Sequence, residues 1–437
     1  MAILHETIMS LPDIKIMGAF GSPITGVSID TRSLNAGDLF VAFIGSQVDG
    51  HDYIPKAISR GASAVMASTS WDGCEAWEAS IPLIITDDPV KSLADLATAH
   101  RELFGIPIIA ITGTNGKTST KNLLTHILSQ KYSVLSTGGN FNNHIGLPIT
   151  LLNLDASYGI AVIEMGASQK GDIDYLCKIA RPTQGLITNI SLAHTEFFQT
   201  IEMIQSTKGE LFDYLQDHNG QLFVNLDDDL VAELGSAAKN RISYGFNIPA
   251  DHEFSLTGPD GKACYDLHFE HIQAHLSHAG KVIGLNAGAA ATIAMHNGIQ
   301  VEQIQQALEN YSGEKGRMQH ELIRGIDFYN DAYNANPASV KAGLETISDM
   351  QANARKVLVF ADMLELGADS DRLHIIAADQ MMAAGFDHII FFGHAAELCA
   401  QHLAEQGFHS FFHSEDKPDC IQHFLAELRS GDLVYLK

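Results

Sequence analysis

Ile109-Ala110-Ile111-Thr112-Gly113-Thr114-Asn115-Gly116-Lys117-Thr118-Ser119 is the stretch around which the rest of this 437-residue chain is read. The apolar run 108–111 predicts a strand, and the pattern over 121–128 predicts a helix. Between them lies a glycine-rich turn followed by Lys-Thr. Glycines let backbone N–H groups approach and encircle phosphate oxygens, and the helix N-terminus adds partial positive charge. Lys117 is placed to reach β- and γ-phosphates, and the Thr118 hydroxyl to ligate Mg²⁺. The long phosphate-loop pattern has another glycine five positions before Gly116, where this chain has Ile111, so the match is to Gly-x-x-Gly-Lys-Thr. Ordinary turn glycines are the alternative. The strand before and the helix after favour a nucleotide held by Gly113, Thr114, Asn115, Gly116, Lys117, Thr118 and Ser119.

Outward from the loop, apolar runs at 134–135, 160–165 and 186–190 alternate with helical segments, beginning with 90–104. Near-continuous apolar strands between helices predict a mainly parallel sheet covered on both faces. Residues 221–285 are richer in Asp and His and read as antiparallel strands closing this unit. Before it, short runs at 25–29, 39–44, 64–67 and 81–86 with a helix over 53–60 predict a small α/β domain. After Gly313 strands are expected at 328–330, 356–360, 388–392 and 432–436, and helices at 339–350, 371–384, 395–406 and 421–429. That is a second doubly wound unit. The predicted fold class is α/β in three domains. They are a small N-terminal α/β domain (1–88), a central phosphate-loop domain with a mainly parallel sheet (89–313) and a C-terminal Rossmann-like domain (314–437).

A net charge of −25 repels phosphate backbones and argues against nucleic acid as a partner, while leaving room for a local pocket for a phosphorylated small molecule. Five scattered cysteines without a Cys-x-x-Cys pair suggest neither a disulfide framework nor a zinc site. No basic start with an apolar run opens the chain, and no apolar stretch nears the roughly 20 residues that span a bilayer. A cytoplasmic, soluble protein without membrane insertion is expected, and a monomer.

A second motif is Val162-Ile163-Glu164-Met165-Gly166-Ala167, a carboxylate ending an apolar run. Such strand ends lie at the sheet edge where ligands of open α/β sheets bind. Beside a phosphate loop, Glu164 is a better candidate for Mg²⁺ than for a surface residue, since Mg²⁺ takes few protein oxygens and keeps waters. His194 follows the next apolar run, and structural and ligand readings of it are evenly balanced.

The chain resembles the ATP-dependent Mur ligases of peptidoglycan synthesis over nearly its whole length. The resemblance rests on the short phosphate loop, Asp30-Thr31-Arg32, Asp49-Gly50-His51, Asn140-Phe141-Asn142-Asn143-His144-Ile145-Gly146, Glu164-Met165-Gly166-Ala167, Lys208-Gly209-Glu210 and Asp331-Ala332-Tyr333-Asn334-Ala335-Asn336-Pro337. The Tyr-Asn-Ala-Asn-Pro and Asn-Asn-x-Ile-Gly segments are similar to those of the member that adds D-alanyl-D-alanine to UDP-N-acetylmuramoyl-tripeptide. What the resemblance implies is acyl-phosphate chemistry with ATP and Mg²⁺. The first domain would bind the UDP-sugar, the second ATP, and the third the incoming amine. Thr118, Glu164 and His194 match Mg²⁺ positions. Lys208 matches a lysine carbamoylated in the family, although by sequence alone it reads as an exposed helix lysine. Lys117, Lys208 and His194 form the implied catalytic set. Asn286, Arg317 and Asp331 match nucleotide contacts. Ser28, Asp30, Arg32, Asn140, Asn142, Asn334 and Asn336 match positions near the other substrates, with Asp30 equally readable as a turn carboxylate. Relatives often have a second Asn where this chain has Ile283, which puts the adenine contacts there in doubt. They also continue with Gly-Ser-Arg after the last strand, where this chain has Lys437 as its final residue, so that strand end is expected to fray. The alternatives are a related ligase adding a diamino acid, and a phosphate-loop kinase or NTPase.

Overall fold

The computed structural model describes residues 5–45, 47–78, 80–192, 198, 200–350 and 354–437. Among them are three sheets. The first contains β1 (Ile14–Met17), β2 (Gly26–Ser28), β3 (Asp38–Val41), β4 (Ala64–Ser68) and β5 (Leu83–Thr86) in the order β1-β5-β4-β3-β2. Only β1 runs antiparallel, pairing Ile14 with Thr86 and Met17 with Leu83. Its half-buried Ile-Lys-Ile-Met pattern carries too weak a signal to have been read as a strand.

The second sheet has nine strands: β6 (Ile108–Thr112), β7 (Val134–Ser136), β8 (Ile160–Glu164), β9 (Gln184–Ile187), β10 (Gln221–Asn225), β11 (Arg241–Phe246), β12 (His252–Thr257), β13 (Asp266–Phe269) and β14 (Ile272–His275). The order β14-β13-β12-β11-β10-β9-β6-β8-β7 places the phosphate-loop strand β6 between β9 and β8. All residues of β6 and β8 are buried, as the continuous apolar runs require of strands covered on both faces. Antiparallel pairing is confined to β12–β13 and β13–β14; β10 and β11 are parallel, which corrects the antiparallel reading of that stretch. The Lys117–Leu128 helix lies against the Lys281–His296 helix, whose Gly-Ala-Ala-Ala-Thr stretch permits close approach.

The third sheet comprises β15 (Gln319–Ile323), β16 (Ile326–Asn330), β17 (Lys356–Ala361), β18 (His388–Phe392), β19 (Phe411–Ser414) and β20 (Leu433–Leu436) in the order β15-β16-β20-β17-β18-β19. It is parallel except for the hairpin β15–β16, whose outer strand β15 is the exposed edge. The fraying expected at β20 is not seen. The strand is central, and beyond it Lys437 N donates to Val359 O and Lys437 O accepts from Ala361 N, both at 2.9 Å. All five cysteines are free and buried. No helix among the described residues is long and apolar enough to cross a membrane.

Candidate active site

The loop after β6 turns through two left-handed glycines, Gly113 (φ 140°) and Gly116 (φ 80°), and Gly116 caps the helix beginning at Lys117. The helix thus starts four residues earlier than its apolar pattern suggests, because a positive φ at Gly116 sets the first turn. The end of β9 anchors the loop. Thr188 Oγ1 and Asn189 Nδ2 donate to Asn115 O at 2.6 and 2.9 Å, and Asn115 N donates to Asn189 Oδ1 at 3.1 Å. Lys117 folds back over the loop, its ammonium donating to Gly113 O (2.8 Å) and Thr114 O (3.1 Å). Burial holds its pKa below the ordinary lysine range; Glu164 opposes that shift and Arg317 adds to it.

Glu164 ends β8 and is 2% exposed. Its Oε1 accepts from Asn142 Nδ2 at 2.8 Å, while Oε2, buried, has no hydrogen-bond partner among the described residues. A buried carboxylate oxygen left unpaired is costly unless something positive completes it. That makes the position fit a hard cation, with Thr118 half-buried in the adjacent first helical turn. Lys208, in the Ile201–Asp217 helix, is 5% exposed, which overturns the surface-lysine expectation. Desolvation, reinforced by the charge of Lys117, lowers its pKa to about 7. His194 lies outside the described residues.

Two cavities meet this loop, and no lining residue is common to both. One, of about 520 Å³, is lined by Gly113, Thr114, Lys117, Asn142, His144 and Lys208, with Tyr175, Phe198 and Ile204 forming an apolar portion. The other, of about 400 Å³, is lined by Asn115, Gly116, Ser119, Asn286, Ile283, Arg317, Asp331 and Lys437. Asn286 is buried, and a Cβ at Gly116 would stand 2.6 Å from its Oδ1, so helix and loop touch.

The C-terminal side of the second cavity carries charge. Arg317 lies 4.2 Å over the Tyr333 ring, and its buried Nε has no partner among the described residues. Asp331 Oδ2 accepts from Lys437 Nζ at 2.6 Å and Tyr435 OH at 3.2 Å. Asn336 caps the Pro337–Asp349 helix and donates its Nδ2 to Asn115 Oδ1 at 2.8 Å. Asn334 is exposed, its Oδ1 accepting from Ala335 N, and Asn140 is exposed on the loop before Asn142. In the first sheet unit Ser28 Oγ donates to Asp30 O, and both Asp30 oxygens take the Arg32 guanidinium. These three line neither cavity. The turn-carboxylate reading of Asp30 describes its present bonds. Sequence reasoning missed Lys437; its position just past β20, at the carboxyl edge of a parallel sheet, was the available signal.

Against known families, residues 23–101 match the model described as Mur ligase family, catalytic domain, residues 111–294 the Mur ligase middle domain, and residues 316–437 the Mur ligase, glutamate ligase domain. The chain is 30% identical to the UDP-N-acetylmuramoyl-tripeptide–D-alanyl-D-alanine ligase of Bacillus subtilis, covering 100% of this chain and 96% of that protein. It is 33% identical to the Escherichia coli enzyme of the same name, over 90% of this chain and 86% of that one. Among solved structures, MurF from Acinetobacter baumannii superposes with a TM-score of 0.83 at 28% identity, covering 95% of this chain and 90% of that one. MurF ligase from Thermotoga maritima, in complex with ADP, superposes at 0.80 and 27% identity, covering 95% and 94%.

Proposed function

The chain belongs to the Mur ligase family, and on that premise we propose that it joins D-alanyl-D-alanine to UDP-N-acetylmuramoyl-tripeptide in peptidoglycan precursor synthesis, converting ATP to ADP and phosphate. The observation that carries this reading is one phosphate loop shared by two cavities. Asn115, Gly116 and Ser119 face the cavity that reaches Arg317 and Asp331, while Gly113, Thr114 and Lys117 face the one that holds Lys208. A loop so placed suits transfer of a phosphoryl group from a nucleotide on one side to an acceptor on the other.

In this reading the acceptor's terminal carboxylate takes the γ-phosphoryl group, and the amine of the dipeptide then displaces phosphate from the acyl carbon. Charge gathers on oxygen throughout. Lys117, freed from its two carbonyls, and Arg317, with an unsatisfied Nε, would neutralise it. Thr118, Glu164 and a carbamoylated Lys208 would hold Mg²⁺, with His194 included on the resemblance. Mg²⁺ would supply further charge neutralisation at the phosphates. Asn286 and Asp331 would hold the nucleoside. Ser28, Asp30, Arg32, Asn140 and Asn142 would serve the UDP-sugar side, and Asn334 the amine side. For Ser28, Asp30 and Arg32 this requires opening the Asp30–Arg32 pair. We propose the reaction for a cytoplasmic monomer. The test is phosphate release and amide formation with UDP-muramoyl di- and tripeptides against a panel of amino acids and dipeptides. Tripeptide with D-alanyl-D-alanine should give product; product with a single diamino acid instead would overturn the assignment.

A further inference from the structure

We infer that Asn336 is a positioning residue that locks the C-terminal unit onto the phosphate loop, and that this lock keeps ATP turnover coupled to amide formation. The inference rests on the ligase reading above. Asn336 has two tasks that fix its amide. Its Oδ1 accepts from Ser339 N at 2.9 Å as the helix cap, and Ser339 Oγ accepts from Asn336 N at 3.0 Å. With the oxygen committed to the cap, the NH₂ must point the other way, and there it meets Asn115 Oδ1 at 2.8 Å. Asn336 is 8% exposed, so water competes poorly for the bond.

The far end is equally constrained. The Asn115 backbone is held by three bonds to Thr188 and Asn189, so its side chain projects from a fixed point. The bond therefore joins a rigid part of the nucleotide-binding loop to the N-terminus of the Pro337–Asp349 helix. That helix contributes Ala338, Ser339, Ala342, Gly343 and Thr346 to the wall of the nucleotide cavity. A C-terminal unit that loses this register opens the reacting centre to water.

The consequence is a specific side reaction. The acceptor carboxylate oxygen attacks the γ-phosphorus, and the bond from that phosphorus to the ADP oxygen breaks. If water rather than the amine then attacks the acyl carbon, the acyl carbon–oxygen bond to phosphate breaks. The carboxylate is regenerated and phosphate released, so the net change is ATP plus water to ADP plus phosphate. A shut C-terminal unit suppresses the second step.

Asn336→Ser separates cap from lock, because serine is as good a helix cap but too short to span to Asn115. The ratio of phosphate released to amide formed is measured for wild type and variant with the full set of substrates, beside the melting temperature. The ratio should rise about fivefold, the shift expected from losing one neutral hydrogen bond. Asn336→Thr should behave alike if the serine variant is poorly folded. Hydrogen exchange without any substrate provides a second readout that does not depend on the ligase reading: backbone amides of 113–119 should exchange faster in the variant. Failure of the wild type to make the amide would count against the proposed function, and the exchange result would still decide the lock. An unchanged phosphate-to-amide ratio, or unchanged exchange over 113–119, overturns it.

Discussion

The Lys208 amine is 5% exposed and has no carboxylate partner among the described residues, with Lys117 as the charged neighbour that lowers its pKa further. In the unfolded chain a lysine titrates near 10.4, whereas in the fold Lys208 titrates at about 7. Between these values the unfolded state holds a proton that the folded state has released, so this residue makes stability rise with pH across that window. Below about pH 7 the folded state carries the full cost of a buried charge. Lys208→Met should therefore melt a few degrees above wild type at pH 6 in metal-free, CO₂-free buffer, since ~1 kcal/mol moves Tm by roughly 2–4 °C in units of this size. The gain should vanish towards pH 10. A variant less stable than wild type at pH 6 would show that the ammonium has a partner in the fold. The neutral amine is the form that attacks the CO₂ carbon, releasing a proton to leave a carbamate, so Lys208→Ala should lose activity through a missing carboxylate and regain part of it with formate. No recovery, together with wild-type Lys208 unmodified by mass spectrometry, would refute the carbamate. Lys117 differs: it braces the loop through two carbonyls, so Lys117→Ala should lose at least 100-fold in turnover and also loosen the loop. Near-normal turnover would remove it from the chemistry.

The β6–loop–helix element depends on its two glycines for different reasons. A Cβ at Gly113 would lie 1.9 Å from Thr188 Oγ1 and 3.0 Å from Thr188 N, and that backbone is tied to β6 through Thr112 O. At Gly116 the obstacle is the side-chain oxygen of Asn286, which can move. Gly116→Ala should cost about 1–3 kcal/mol by denaturant unfolding and weaken nucleotide binding by displacing Asn286. Gly113→Ala should cost more, because backbone must yield. Wild-type nucleotide affinity in Gly116→Ala would break the link to Asn286. The loop was legible because glycine, lysine and hydroxyl spacing is local, and β18 matched its apolar run residue for residue. Less legible were elements whose reason lies elsewhere in the chain: β1, β15 and β19 are edge strands with exposed or half-buried patterns. The burial of Lys208 likewise follows from tertiary packing, which no helical pattern around it announces. Asn142 was read as a substrate residue on motif position, and only the fold brings its amide to Glu164.

In the molecule as a whole, the cavity proposed to hold the nucleotide belongs to two units at once: Gly116 and Asn286 come from the central one, Arg317 and Asp331 from the C-terminal one. Within the latter, Lys437 and Tyr435 carry the alignment of β20 directly to Asp331, so the cavity wall is as firm as the centre of the third sheet. A ligand that touches both walls and binds only the folded arrangement should stabilise both units together, by about 2.7 kcal/mol at 100 times its Kd. A non-hydrolysable ATP analogue should therefore slow hydrogen exchange in 113–119 and in 316–331 at the same analogue concentration, with one midpoint. The β1–β5 sheet lines neither cavity through Ser28, Asp30 or Arg32, so its exchange should stay unchanged until the UDP-sugar peptide is added. Separate midpoints for 113–119 and 316–331 would mean that the C-terminal wall closes on something other than the nucleotide. Protection of 113–119 alone would assign Arg317 and Asp331 to holding the C-terminal unit together, with nucleotide contact confined to the central one.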